Sequence, residues 1–430
     1  MSSNAGTAEA PDADAAVAVA SNELVADSLG EYLAAQWKRI RSGESGTLPV
    51  IVGLVIIVII FQTKNGHFLS TGNLTNLIEQ AGVFVLLGMA EVFVLLLGEI
   101  DLSSAAVGAV GCAITAELNA PPHNVNWFLA VLAGLAACAV IGALQGLLIT
   151  RLGLPSFIVT LAGLLGWGGF LIYLLEKDKQ ATGGSIVVNS NVLNDVVNGS
   201  LSNTAGWIVM IVSVAAFGAV AVLQHRRRTS NGLVAPPLSL LLLKVIGIAA
   251  AGVVLVLVCN ANRGGLLVHL SGVPWVVPLM GVVLAIYSIL LGRMRFGRYL
   301  YAIGGSTEAA RRAGIRTNQV RLMAFVLCSF TAGLAVILVY FSELGSISSD
   351  FDAGDYVLYA VAAAVIGGTS LFGGRGKMSF AVLGGVVIAT IYNGMALIQI
   401  GAAGQEMVIA LVLLAAVTVD AISHRGVARR

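Results

Sequence analysis

Charge is what this sequence has least of. Only 11% of its 430 residues are Asp, Glu, Lys or Arg, while 57% are hydrophobic and the mean hydropathy is +0.92. A soluble domain carries about 25% charged residues. A core surrounded by water needs a polar shell that this composition cannot supply, and a bilayer removes that need. Cysteine is scarce as well. Cys112, Cys138, Cys259 and Cys328 lie inside apolar runs at spacings that match no metal or redox motif, so they read as packing residues. The five histidines, His67, His123, His225, His269 and His424, are scattered through loops and tails. No metal site, no cofactor, no nucleophile–base constellation and no nucleic-acid partner is expected.

Basic residues are missing from positions 1–31, which instead carry Glu9, Asp12, Asp14, Glu23, Asp27 and Glu31. A secretory signal needs a basic start followed at once by an apolar run, so none is expected. Residues 1–45 read as a disordered or partly helical cytoplasmic N-terminal extension, with a short helix over 22–40. A phosphate loop is missing too. The Gly-rich stretch 367–377 superficially resembles one, but Met378 follows Lys377 and no glycine stands five residues before Gly376. The chain is therefore expected to hold no ATP site of its own and not to be an enzyme.

What is present in quantity is glycine, 51 residues, and long apolar runs. Twelve segments near the ~20 residues of a spanning helix fall at 46–62, 77–98, 102–119, 127–150, 155–175, 207–223, 240–259, 274–292, 321–342, 356–372, 378–398 and 406–422. The expected fold is an all-α, polytopic transmembrane bundle of about twelve helices over residues 46–422, with a basic tail at 423–430. The third segment follows 98–101 almost without a loop and reads as short or broken. Gly142 and Gly146 form a GxxxG pair, read as general helix packing rather than a dedicated dimer motif.

Lys and Arg collect on the cytoplasmic side of a membrane. With Lys38, Arg39 and Arg41 placed inside, twelve crossings put nineteen basic residues inside and only Lys64, Lys177, Lys179 and Arg263 outside. Both termini are then cytoplasmic. Gly98-Glu99-Ile100-Asp101-Leu102 and Gly367-Gly368-Thr369-Ser370-Leu371 each close one apolar segment, a weak internal echo of the kind transporters built from repeats show.

The inside loop at 293–320 is too patterned for a connector. Ser306 suits an N-cap, Glu308 the first turn and Ala309 and Ala310 a helix, while Gly314, ahead of Ile315, suits its stop. A helix of about two turns is marginal alone in water, and docking into a partner would stabilise it. Within the apolar segments, Glu91 is the deepest acid. Path lining, an interhelical hydrogen bond and a proton relay all remain open for it. Asp101 with Ser103 and Ser104 reads as a helix cap. Gln80, Gln145, Thr160, Trp167, Tyr392 and Asn393 are the polar and aromatic candidates for contacting a solute; each could equally be a helix–helix contact.

Glu308-Ala309-Ala310 followed by Gly314 resembles the coupling-loop motif of ABC importer permeases. The segment 297–305 is similar to that of the ribose/xylose/arabinose/galactose permease family. The 98–103 run, Val365 to Ser370 with Gly373-Gly374-Arg375-Gly376, and Asn393-Gly394-Met395 also resemble hallmarks of that family. Together they cover residues 72–422. The long outside loop 176–206 and the helix pair around 226–237 are most like the xylose branch. Many family members carry Gly where this chain has Glu99. The resemblance implies a permease subunit of an ATP-driven monosaccharide importer, with xylose as the sugar, in a bacterial inner membrane. It implies a separate ABC ATPase subunit docking at 306–315, an extracytoplasmic sugar-binding protein, a second permease copy and surrounding lipid. An ion-coupled secondary transporter and an ABC permease for another small solute are the alternatives.

Overall fold

The computed structural model describes residues 48–177, 183–232, 237–264 and 270–428. The expected N-terminal extension, with Lys38, Arg39 and Arg41, lies outside them, as do Lys179, Pro236, His269 and the side chains of the 423–430 tail. All twelve apolar segments are helical: α1 Leu48–Lys64, α2 Thr71–Leu95, α3 Ser104–Asn119, α4 Trp127–Arg151, α5 Ser156–Lys177, α7 Asn203–Ser230, α8 Leu238–Asn260, α9 Val276–Arg293, α12 Thr317–Leu334, α14 Ala353–Gly367, α15 Met378–Leu397 and α16 Ala402–Ala428. Between them lie α6 Asn191–Asn198, α10 Arg295–Gly305, α11 Thr307–Arg312 and α13 Phe341–Leu344. A π-helical turn, Ala335–Tyr340, joins α12 to α13. Eight described helices are long and apolar enough to cross a membrane, counting Thr317–Leu344 as one, and α1, α14 and Ala402–Thr418 are shorter apolar helices.

The chain divides into two compact units, one holding Ile211–Gly252 and the other Gly43–Met210 and Val253–Arg430. In the first, the adjoining parts of α7 and α8 face each other where Gly218 meets Val245. Ile211, Val212, Ile246 and Ile248 are exposed. Apolar side chains with no protein cover are what a lipid-facing surface requires.

In the second unit α2 is the central helix, with 83% of its apolar window buried, and it packs against α12, α14 and α15. α3 is buried because nearly every residue in Ser-Ala-Ala-Val-Gly-Ala-Val-Gly-Cys-Ala is small, so neighbours close in from all sides. Gly111 of α3 lies against the Gly134 carbonyl of α4, and Gly108 against the Ala332 carbonyl of α12. On α4, Gly134, Cys138, Gly142 and Gly146 recur every four residues and form one ridge. Gly142 and Gly146 of that ridge meet Phe325, Ser329 and Leu322 of α12, so the GxxxG pair is spent on packing within the chain.

Hydrogen bonds sort the connections into two sets. One set joins 96–103, 150–152, 293–321 and 370–377, through Gly374 N to Leu96 O (2.9 Å), Tyr301 Oη to Gly376 O (2.8 Å) and Asn318 Nδ2 to Thr150 O (3.3 Å). The other includes a two-stranded antiparallel sheet, β1 Ser185–Val187 on β2 Ser346–Ser348, which the all-α expectation did not contain. In it Asn189 Nδ2 donates to Asn119 O (3.2 Å), Leu201 N to Val273 O (2.8 Å) and Asn65 Nδ2 to Leu397 O (3.1 Å).

Candidate functional site

α11 stands at the first of these ends. Its residues are exposed except Ala310, which rests on the body of the protein at 4% exposure. Ser306 has extended backbone, and its Oγ accepts from Ala309 N (3.3 Å), closing the helix start as an N-cap does. Glu308 accepts from Arg312 Nε at 3.2 Å, one turn on. Gly314, with φ of 81°, ends the helix ahead of the half-buried Ile315.

Beneath α11 three chain segments meet main chain to main chain. Gly98, with φ of 75°, lies against the Phe372 carbonyl. Gly304 lies against Leu96 O and Gly374 N, and Gly373 against Gly98 N and Gly304 O. A Cβ at Gly304 would overlap the backbone of the other two segments. The three motifs that resemble family hallmarks are thus one joint, although they lie some 200 and 70 residues apart in the chain. Gly367 closes against the Phe380 carbonyl, and Gly368, with φ of 115°, ends α14 as its left-handed cap. Glu99 accepts from Arg321 Nε, tying the 96–103 loop to α12. Burial pushes the Glu99 carboxyl above its ordinary value, and Arg321 pulls it back without cancelling the rise.

Behind the joint lies a buried polar group. Ser104 Oγ donates to Glu91 Oε1 (2.7 Å). Asp101 Oδ1 accepts from Ser103 N (2.9 Å) and Ser103 Oγ (2.6 Å), and Gln145 Nε2 donates to Ser103 Oγ (2.8 Å). Glu91 and Asp101 are both 0% exposed, and Glu91 Oε2 and Asp101 Oδ2 have no partner among the described residues. Thr160 Oγ1 donates to Ser156 O within its own helix (2.9 Å) and approaches Ile100 O (3.4 Å). Asp101 bonds to Ser103, the N-cap residue of α3, which makes no side-chain cap bond to the helix, and Glu91 is held across helices by Ser104.

Gln80 and Asn393 form a second group towards the opposite end. Asn393 Nδ2 donates to Gln80 Oε1 (3.1 Å) and Asn73 Nδ2 to Asn393 Oδ1 (2.9 Å). The expected solute contacts are therefore split: Gln80 and Asn393 belong together, Glu91 and Gln145 sit with the 96–103 loop, and Trp167 lies on α5 beside Phe170, at 6.2 Å between rings. Among the described residues no three His, Cys, Asp or Glu side chains form a group that could hold a metal. The four cysteines are buried and free.

The model of the family described as branched-chain amino acid transport system / permease component matches residues 73–417. The xylose transport system permease protein XylH of Escherichia coli (strain K12) is 32% identical over 383 residues, 87% of this chain and 92% of its own. The ribose import permease protein RbsC of the same strain is 28% identical over 370 residues, 86% and 92%. The D-allose transport system permease protein AlsC of that strain is 30% identical over 369 residues, 85% and 89%. No solved structure matches.

Proposed function

The chain belongs to the family of branched-chain amino acid transport system / permease components, and from that premise we propose that it is the membrane-spanning subunit of an ATP-driven importer of a monosaccharide, with xylose as the sugar. It is a multi-pass protein of the bacterial inner membrane. Two copies would form the path, and a separate ABC ATPase would bind beneath them. A sugar-binding protein would deliver substrate from outside. The sugar rests on similarity to permeases of xylose, ribose and allose, xylose coming first in identity and coverage together.

One observation carries the coupling role. α11 is exposed on every face but one, and α10, which leads directly into it, meets the breaks after α2 and α14 main chain to main chain at Gly304. A short helix placed so can move core helices only if something outside the chain holds it. In this reading Ser306, Glu308, Ala309, Ala310, Gly314 and Ile315 form the ATPase contact. Closure of the ATPase pair would pull α11, and the joint of Gly98, Gly304 and Gly373 would pass the motion to α2 and α14. Gln80 and Asn393 would line the path. Glu91, Asp101, Ser103 and Gln145 would keep the α2–α3 break in one shape.

Glu308→Arg reverses a charge on the exposed face of α11. It is expected to abolish xylose uptake and co-purification of the ATPase, while the protein stays folded in the membrane. Uptake that survives this change and collapses with the proton gradient instead would show an ion-coupled carrier. The two unpartnered buried carboxylate oxygens of Glu91 and Asp101 are what such a carrier would use.

A further inference from the structure

At the end opposite α11, the 183–201 stretch is clamped onto the chain that continues α12. Ser342 of α13 is the clamp. Its Oγ accepts from Val197 N (2.9 Å) and donates to Asn194 O (2.7 Å), and its carbonyl accepts from Asn198 Nδ2 (2.6 Å). Val188 N donates to Gly345 O (2.8 Å), next to the β1–β2 pairing that sets Val187 opposite Ser346. Ile186 and Ile347 of the sheet are buried, as are Leu193 and Val197 of α6. Ser342 stands two residues beyond the π-helical turn Ala335–Tyr340, so this platform rests on the end of α12.

The outward side of the platform combines apolar side chains with charge of one sign. Strand alternation turns Val187 away from the buried Ile186, and Val187 is 66% exposed. Leu344, two residues from its partner Ser346, is 57% exposed, and Val192 at the start of α6 is 47% exposed. Asp195, Asp350 and Asp352 are exposed as well. Residues 183–201 and 342–359 hold five acids, Asp195, Glu343, Asp350, Asp352 and Asp355, and no Lys or Arg.

Those features choose among occupants. Lipid does not suit an open two-stranded sheet, whose edge groups find no partner in hydrocarbon, and anionic headgroups are repelled by the acids. A second copy would bring the same acids across a twofold axis. A soluble protein with an apolar spot ringed by Lys and Arg answers both the exposed side chains and the charge. We propose that β1, β2 and α6 form the docking platform for the importer's soluble sugar-binding protein, which presents a basic patch to it. This rests on the importer reading above. The route inward is short. Ser342 passes the contact to α13 and the π-helical turn to α12, whose other end follows α11, so one helix runs between the two docking ends.

The test is binding of the purified sugar-binding protein, loaded with xylose, to the complete transporter in nanodiscs of neutral lipid. Wild-type affinity is expected to fall as salt rises, because complementary charges are screened. Val187→Arg sets a cation and extra bulk at the centre of the contact and is expected to weaken binding about thirtyfold. Asp195→Asn combined with Asp350→Asn is expected to weaken it about tenfold and to flatten the salt dependence. Both aspartates are exposed, and neither side chain makes a hydrogen bond or ion pair among the described residues, so the fold does not depend on them. Wild-type affinity in both variants overturns the platform and leaves the importer intact. A Val187→Arg particle that falls from two permease copies to one, with the binding protein held as tightly as before, also overturns it by making this face a subunit contact. Xylose import by the wild-type transporter with no binding protein present overturns the importer reading, and the platform with it.

Discussion

Glu99 shows what a single residue does in this fold. Arg321 answers its charge. The two side chains are 13% and 26% exposed, so solvent screens the pair poorly. A carboxyl raised in the folded state contributes stability at low pH and loses it as pH rises through the folded value. Removing Arg321 raises that value further. Arg321→Ala is therefore expected to cost about 3 kcal/mol at neutral pH and less in acid, with part of the loss recovered by adding Glu99→Gln. Thermal unfolding of the purified protein at about pH 5 and about pH 8 checks this. An equal loss at both values would mean that no buried charge had been exposed. The motif residues Gly98, Asp101, Gly304 and Gly373 stood out in the sequence, but Arg321 did not. Only folding brings 321 to 99, and no local pattern joins positions 222 apart.

Among the elements, those with a local cause were legible. All twelve apolar runs are helices, and α11 starts at the cap and stops at the glycine that its residue types suggest. Others were missed, among them α6, which lies within the stretch 176–206 expected as a loop. α10 carries Gly297, Gly304 and Gly305, which argue against helix, although Gly297, Leu300 and Ile303 at threefold spacing are its buried face and could have revealed it. The β1–β2 pairing joins 185–187 to 346–348, a contact without any local signal. The π-helical turn left no mark in composition. Ser306→Ala removes the side-chain cap of a six-residue helix whose surroundings are mostly water. It is expected to cost about 1 kcal/mol of helix stability, read as roughly fivefold weaker ATPase binding with the permease's unfolding temperature almost unchanged. A large fall in unfolding temperature would mean that α11 supports the fold rather than the contact.

Across the whole molecule, the two sets of bonded connections match the sidedness expected from Lys and Arg, and this gives a direct test of topology. Val187 is 66% exposed on β1 and Arg311 is exposed on α11. The four native cysteines are buried and should not react. A membrane-impermeant maleimide is expected to label Val187→Cys in intact spheroplasts and Arg311→Cys only after permeabilisation. Both positions labelling from the same side would break the twelve-crossing count and the cytoplasmic placement of the termini.

The joint beneath α11 bears on how such a protein would move. Side-chain contacts absorb small displacements by hopping between rotamers within picoseconds to nanoseconds. Gly98, Gly304 and Gly373 have no rotamers, and their contacts are carbonyl and amide groups at their closest approach. A linkage of that kind has no slack to damp a push. In the importer proposed here, a shift of α11 would arrive at α2 and α14 at full amplitude or not pass at all, which makes the access change a switch between two settings rather than a graded bend.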